Sequence, residues 1–306
     1  MSLYKIKNNQ VDEIRKIRFK NEKELQKLIE NNLKEIFNLE FVATEFQVNN
    51  LRIDTLAYNP ETNSFVIIEY KNLKSFSVID QGYSYLSVLL NNKAEFVLKY
   101  NQQFNKNNGK EAFDFSQTRV MFIAPKFTNY QLTSVKFSDI PFELIEVSKY
   151  NNDILTITQV NKTDNKASIK EIKNQTKDDV TKEIKVYNDE YYLNNKKEEI
   201  IDLYYNFKER ILNEFDDSEP FYTKYYSGFK VNKSIYLTIE VQKSSMKIWI
   251  NLNNPTIKDS NNIVRNVKDI GHHGIGNYEV KVTEDTDMNY IMTLVKQAYD
   301  EKLKDK

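Results

Sequence analysis

Two acidic residues and a lysine carry the strongest chemical signal in this chain. Asp54 lies in Leu51-Arg52-Ile53-Asp54-Thr55-Leu56, and 15 residues later the apolar run Phe65-Val66-Ile67-Ile68 ends in Glu69-Tyr70-Lys71. Side chains alternate along a strand, so Glu69 and Lys71 emerge on one face and Tyr70 on the other. If Asp54, on an adjacent strand, meets that face, two hard oxygen ligands and an amine converge. Such a pair suits Mg²⁺, with Mn²⁺ able to substitute, because Mg²⁺ keeps several waters and takes up phosphate oxygens. A metal so held polarises a phosphodiester and generates hydroxide for in-line attack. The lysine then stabilises developing negative charge or helps activate the water. Taken singly, each of the three reads more simply as a charged strand end in solvent; their order along the chain is what sets them apart.

The elements that must position these groups are legible from periodicity. Leu25, Leu28, Ile29, Leu33, Ile36 and Phe37 fall at helical spacing, which predicts one helix over 22–37 with an apolar stripe. Three short strands follow, Phe41–Val48, Arg52–Tyr58 and Phe65–Tyr70, the last two separated by the turn signal Asn59-Pro60-Glu61-Thr62-Asn63. A second helix is expected over Val78–Asn91, then further strands at Ala94–Tyr100 and Arg119–Pro125, the latter a nearly continuous apolar run. Helices around a meander and later strands make a mixed α/β domain over residues 1–160.

Helix, Asp54 and Glu69-x-Lys71, in this order, resemble the PD-(D/E)xK nuclease superfamily over roughly residues 20–125. Ile53 stands where the superfamily name has proline. In archaeal-type Holliday-junction resolvases of that superfamily the first helix carries an acidic residue in a Glu-x-Glu-Leu context, which Glu22-Lys23-Glu24-Leu25 matches. The resemblance therefore implies Glu22 as the helix carboxylate. At about 100° per residue Glu22 also falls inside the apolar stripe, while Glu24 and Glu30 fall to either side. The plainer reading of Glu22 is a first-turn acid complementing the helix dipole. Gln81-Gly82-Tyr83-Ser84-Tyr85 looks like the Gln-x-x-x-Tyr element of RecB-type members, with Gln81 and Tyr85 one turn apart on one helix face. The resemblance implies a Mg²⁺-dependent deoxyribonuclease of restriction, defence or repair type. Glu22, Asp54 and Glu69 would be its metal ligands, Lys71 and Gln81 would complete the catalytic set, and Arg52 and Tyr85 would contact DNA. Nucleases that cut both strands often pair two copies, so a homodimer is the expectation. The rival readings are a non-catalytic nucleic-acid-binding protein on the same fold and a regulatory protein of a defence operon.

Residues 161–185 are rich in Lys, Asp, Asn and Thr and nearly devoid of large apolar side chains, which predicts a polar linker. Beyond it, Lys196–Phe215 reads as a helix, Tyr222–Val231, Ile235–Gln242 and Met246–Leu252 as consecutive strands, and Asp287–Leu303 as a closing helix. Residues 186–306 are thus a smaller α+β domain with an antiparallel sheet, expected to recognise a target or partner. Ile248-Trp249-Ile250-Asn251-Leu252, Val264–Val267 and Ile270–Tyr278 resemble a domain of unknown function that has been labelled a predicted transport protein. Gly271, Gly274 and Gly276 imply a tight loop, and no Lys-Ser/Thr follows as a phosphate loop requires, so no nucleotide cofactor is expected. His272 and His273 are the chain's two histidines, and adjacent residues seldom ligate one metal together. Tyr225, Tyr226, Phe229, Tyr236 and Trp249 read first as core or sheet-face residues and second as base-stacking platforms.

Composition bounds these readings. Within 306 residues, 44 basic side chains balance 44 acidic ones, so no overall basic field advertises nucleic acid, and a DNA groove must come from local clustering. Without cysteine, thiolate metal sites, cysteine nucleophiles and disulfides are excluded, which fits a reducing, cytoplasmic setting. No apolar run approaches the roughly 20 residues that span a bilayer, so no membrane is expected.

Overall fold

The computed structural model describes residues 3–71, 78–135, 141–160, 183–253 and 256–304. The chain divides into two compact units, Met1–Val186 and Tyr187–Lys306. The expected linker, 161–185, lies almost wholly outside the described residues. As expected, both units mix helices and strands, the first around a mixed sheet and the second around an antiparallel one.

In the first unit a short antiparallel hairpin, β1 (Leu3–Lys7) and β2 (Gln10–Ile14), precedes β3 (Lys16–Ile17). The expected single helix over 22–37 is two, α1 (Glu22–Glu30) and α2 (Leu33–Phe37). Asn31 and Asn32 interrupt it: both are poor helix formers, and Asn32 lies outside the helical region as the N-cap of α2. Three strands follow, β4 (Glu40–Val48), β5 (Leu51–Asn59) and β6 (Ser64–Tyr70), then α3 (Val78–Asn91) and α4 (Lys93–Phe104). Ala94–Tyr100, expected as strand, lies within α4. Its buried residues Phe96, Val97 and Tyr100 are spaced as one face of a helix, which a short apolar run cannot reveal by composition. The unit is completed by β7 (Arg119–Ala124), α5 (Asn129–Ser134), β8 (Phe142–Tyr150) and β9 (Leu155–Gln159).

These strands form a seven-stranded sheet in the order β3-β8-β7-β6-β5-β4, with β9 also on β8. β4, β5 and β6 are antiparallel neighbours, whereas β6, β7 and β8 run parallel. Every residue of β6 is buried, as expected of a strand with neighbours at both edges and helices on both faces. Val66, Ile68 and Tyr70 pack with Leu25 and Ile29 of α1. Phe65 and Ile67 pack with Tyr83, Tyr85, Leu86 and Leu89 of α3 and with Phe96 of α4. Residues 69 and 71 continue the row toward α3.

In the second unit α6 (Asp189–Leu193) and α7 (Glu198–Glu214) precede β10 (Glu219–Tyr222), β11 (Ser227–Val231), β12 (Ser234–Val241), β13 (Met246–Ile250), β14 (Arg265–Asn266), β15 (Tyr278–Val282) and α8 (Met288–Lys304). The sheet is antiparallel, ordered β10-β11-β12-β13-β15-β14. The run Tyr222–Val231, expected as one strand, is two. Between them Thr223 turns the chain, its hydroxyl bonding the Tyr226 carbonyl at 2.8 Å and its N–H meeting the Tyr192 hydroxyl at 3.0 Å. One sheet face, carrying Leu237, Ile239, Ile248, Ile250 and Val280, packs on Phe207 and Ile211 of α7 and on Ile291, Leu294 and Val295 of α8.

Gly82 sets how closely α3 approaches the sheet. A Cβ there would lie 2.5 Å from Cζ of Phe142, a ring already held edge-on by Tyr83 and Phe122. Alanine is the better helix former by about 1 kcal/mol, but overpacking a ring that cannot retreat costs about 1–3 kcal/mol. Gly82→Ala is therefore expected to lower the thermal unfolding midpoint. A midpoint equal to or above the parent's would show that α3 is not seated this tightly on Phe142.

Candidate active site

The ladder between β5 and β6 ends at Thr55 and Ile68, and the next pair in that register would be Asp54 with Glu69. There the strands part. Instead of meeting β5 backbone, the Tyr70 N–H donates to Oδ2 of Asp54 at 3.0 Å. On the other side of β6 the parallel pairing to β7 persists, and the Lys71 N–H donates to the Ile123 carbonyl at 2.9 Å. The opening thus appears on one side of a strand that is anchored on its other side.

Glu69 faces α3 beside this opening and is only 3% exposed. A buried carboxylate is costly unless its charge and lone pairs are met. Lys71 Nζ stands 2.6 Å from Oε1, Gln81 Nε2 donates to the same oxygen at 2.8 Å, and the Tyr85 hydroxyl donates to Oε2 at 2.6 Å. Gln81 Nε2 also lies 3.1 Å from the Tyr85 oxygen, tying the two α3 side chains together. Burial first, and the neighbouring Glu69 charge second, push the Tyr85 hydroxyl above its ordinary range, so it remains a donor at any physiological pH.

Asp54 is pushed up to about 6, first by burial and then by the charge of Glu69, against the Tyr70 N–H and the Lys71 ammonium, which favour ionisation. Glu45 adds to the rise. Its residue sits between Thr44 and Phe46, which pair with Thr55 and Ile53, and its positive φ of 49° breaks the strand's regular course opposite Asp54. Lys23 Nζ lies 2.6 Å from Oε1 of Glu45 and Arg52 Nε lies 2.9 Å from Oε2, and Lys23 above all holds that carboxyl below its ordinary value. Arg52 is mostly exposed, at the rim.

Asp54, Glu69, Lys71, Gln81 and Tyr85 are therefore brought together, with Arg52 beside them through Glu45. Glu22 stands exposed in the first turn of α1. It continues the apolar stripe in angle, yet the buried part of that stripe begins only at Leu25. The α1 carboxylate turned to the sheet is Glu30, which accepts from the Thr55 hydroxyl at 2.5 Å and from Gln26 Nε2 at 2.9 Å. Gln26, 4% exposed, also donates to the Asp54 carbonyl at 2.9 Å. This polar brace behind β5 went unread in the sequence, although an amide inside the stripe of Leu25 and Ile29 was a signal for it.

Among the described residues no group of three or more His, Asp or Glu is placed to hold a metal. Mg²⁺ does not require one, since one or two carboxylates with water and substrate phosphate commonly suffice. The donors at hand are two hard carboxylates, one of them, Asp54, held above its usual range first by burial and then by the Glu69 charge. A divalent cation would relieve that charge, so the pair fits the metal.

A protein of Haemophilus influenzae described as uncharacterized is 39% identical over 300 residues, spanning 97% of this chain and 99% of its own length. This chain belongs to the same family as that protein. Residues 188–302 match the domain of unknown function DUF5655. Two solved structures show partial likeness. One is an EndoMS–double-stranded DNA complex, at 17% identity and TM-score 0.27 over 42% of this chain and 46% of that one. The other is a repair endonuclease from Pyrococcus abyssi, at 15% identity and TM-score 0.26 over 44% of this chain and 61% of that one. This chain thus spans about half to three-fifths of their lengths, and at these TM-scores neither likeness carries weight for function.

The raised Asp54 has a consequence for stability. The folded state binds its proton more tightly than the unfolded chain, whose aspartate titrates near 3.8. Ionising it therefore costs native stability, a cost absent below about pH 4 and complete above about pH 6. The gap corresponds to at most about 3 kcal/mol, and roughly 1–2 kcal/mol after discounting for partial exposure. Asp54→Asn, which keeps an acceptor for Tyr70, is expected to raise the unfolding midpoint at pH 8 and leave it nearly unchanged at pH 4. Equal midpoint changes at both pH values would show that Asp54 carries no such strain.

Proposed function

We propose that the first unit is a metal-dependent nuclease of the PD-(D/E)xK type that hydrolyses phosphodiester bonds in DNA. The observation that carries this reading is the buried Glu69 carboxylate, contacted by Lys71 at 2.6 Å and set across the parted strands from Asp54. A protein gains no stability from two carboxylates placed so close, and such strain is typical of a working site.

In this reading Asp54 and Glu69 hold Mg²⁺ or Mn²⁺, which when bound lowers the pKa of water and polarises the phosphate. Lys71 presents its ammonium to the charge that develops on the phosphate oxygens. Gln81 and Tyr85 fix the direction of the Glu69 carboxylate, and the Gln26 bond to the Asp54 carbonyl braces β5 from behind. Arg52, exposed at the rim, is placed to meet a neighbouring phosphate of the backbone.

The direct test is cleavage of supercoiled, linear and single-stranded DNA with Mg²⁺ or Mn²⁺. Wild type is expected to cut, Lys71→Ala to lose about 10²-fold or more, as removal of one charge-stabilising donor typically does, and Asp54→Asn to lose at least as much. Cleavage by the variants at the parent rate, or an inert wild type on every substrate including modified DNA, would contradict the assignment.

A further inference from the structure

The second unit carries a built site of its own. The sheet face opposite α7 and α8 holds a cross-strand row: Trp249 of β13 stands between Thr238 of β12 and Glu279 of β15, with Arg265 of β14 next to Glu279. The loop between β14 and β15 folds onto this row. Thr238 pins it, its hydroxyl donating to the Ile275 carbonyl at 3.1 Å and receiving the Ile275 N–H at 3.0 Å. Gly274 lies so close on the indole that a Cβ would fall 2.2 Å from Cε3 of Trp249. Trp249 is left 1% exposed, with the His272 imidazole parallel to it at 5.4 Å and 11°.

Between loop and sheet is a cavity of about 440 Å³, within the range of small-molecule sites. Two polar atoms of its lining residues, Nε1 of Trp249 and Nδ1 of His272, are shielded from solvent and have no hydrogen-bond partner among the described residues. A buried tryptophan N–H usually has an acceptor, and the two unpaired nitrogens belong to residues that line this cavity.

The charges narrow what that is. Lys247 and Arg265 contribute cations, each only loosely paired to Glu279 at 3.6 and 3.8 Å. Glu240 stands on the same wall, 3.9 Å from Nδ1 of His273, whose ring stacks on Tyr225 at 5.1 Å and 26°. A bare phosphate would meet two carboxylates, and an alkylammonium would meet two cations. A flat ring with donors and acceptors along its edge satisfies both signs and can lie against the exposed imidazole of His273. We propose that this cavity binds a single nucleobase, as a free nucleotide or as one base of a nucleic-acid strand. This assignment is independent of the nuclease reading of the first unit.

Trp249 is the chain's one tryptophan, so its fluorescence and its indole N–H resonance report on this cavity alone. The experiment titrates the full chain with each deoxy- and ribonucleoside monophosphate, with short single-stranded DNA and RNA, and with ribose 5-phosphate as control. A saturable quench with a shift of the indole N–H is expected from base-containing probes and not from the control. His272→Ala, at a half-buried position, and Arg265→Gln, at an exposed one, should weaken it about tenfold or more while far-ultraviolet circular dichroism stays unchanged. Lys71→Ala should bind as the parent does. Response to mononucleotides identifies a free-nucleotide site, and response to strands alone identifies a base held within a strand. Silence of both signals up to millimolar probe, or an equal response to ribose 5-phosphate, would overturn the proposal.

Discussion

A carboxylate on the central strand of a seven-stranded sheet has little water to solvate it, and the Glu69 charge must be met by protein groups. Among the described residues three donors meet it, and each comes from a position the fold dictates. Lys71 is two residues on, just past the end of β6, where its N–H still pairs with the Ile123 carbonyl of β7, so it keeps the same face. Gln81 and Tyr85 are one helical turn apart on α3, and the absence of a side chain at Gly82 between them lets that helix come close enough. Their hydrogen bonds depend on Phe142, Tyr83 and Phe122 packing as they do, which links the geometry of a few polar atoms to the seating of a helix.

The same arrangement leaves Asp54 under-compensated. Where β5 and β6 separate, the Tyr70 N–H turns to the aspartate, but burial and the Glu69 charge outweigh that bond. Lys71 answers mainly to Glu69, so one cation serves two acids. An unresolved negative charge beside a fixed one is a poor way to hold a sheet together and a good way to attract a divalent cation and, through it, a phosphate. The second unit shows a comparable deficit in another form: the indole N–H of Trp249 and an imidazole nitrogen of His272, in the loop that covers it, are buried without hydrogen-bond partners among the described residues.

Much of this was legible in the sequence, for physical reasons that differ by element. The strands around Asp54 and Glu69 could be read because a half-polar strand beside a fully buried one leaves a clear alternation and then a continuous apolar run. The convergence of Glu69 with Lys71 follows from the pleat alone, and that of Gln81 with Tyr85 from the helical turn. Other features resisted. Ala94–Tyr100 is too short for composition to separate a buried helix from a strand. The break at Asn31–Asn32 was hidden because the stripe through Leu33, Ile36 and Phe37 continues in phase across it. Glu22 keeps the angle of the stripe but not its burial, since periodicity carries no information on where along its length a helix begins to be covered. The brace of Gln26, Glu30 and Thr55 depends on which residues face each other between helix and sheet, and no local pattern encodes that. The fold of the loop over Trp249 was likewise only hinted at by its glycines.

The proposed divalent-cation site is formed by Asp54 and Glu69. Calorimetric titration of the full chain with Mn²⁺, alongside Asp54→Asn and Glu69→Gln, tests it without requiring turnover. One site is expected in the parent, lost or weakened by at least about tenfold in each variant; unchanged Mn²⁺ binding in both variants, or none in the parent even with DNA present, would contradict the assignment.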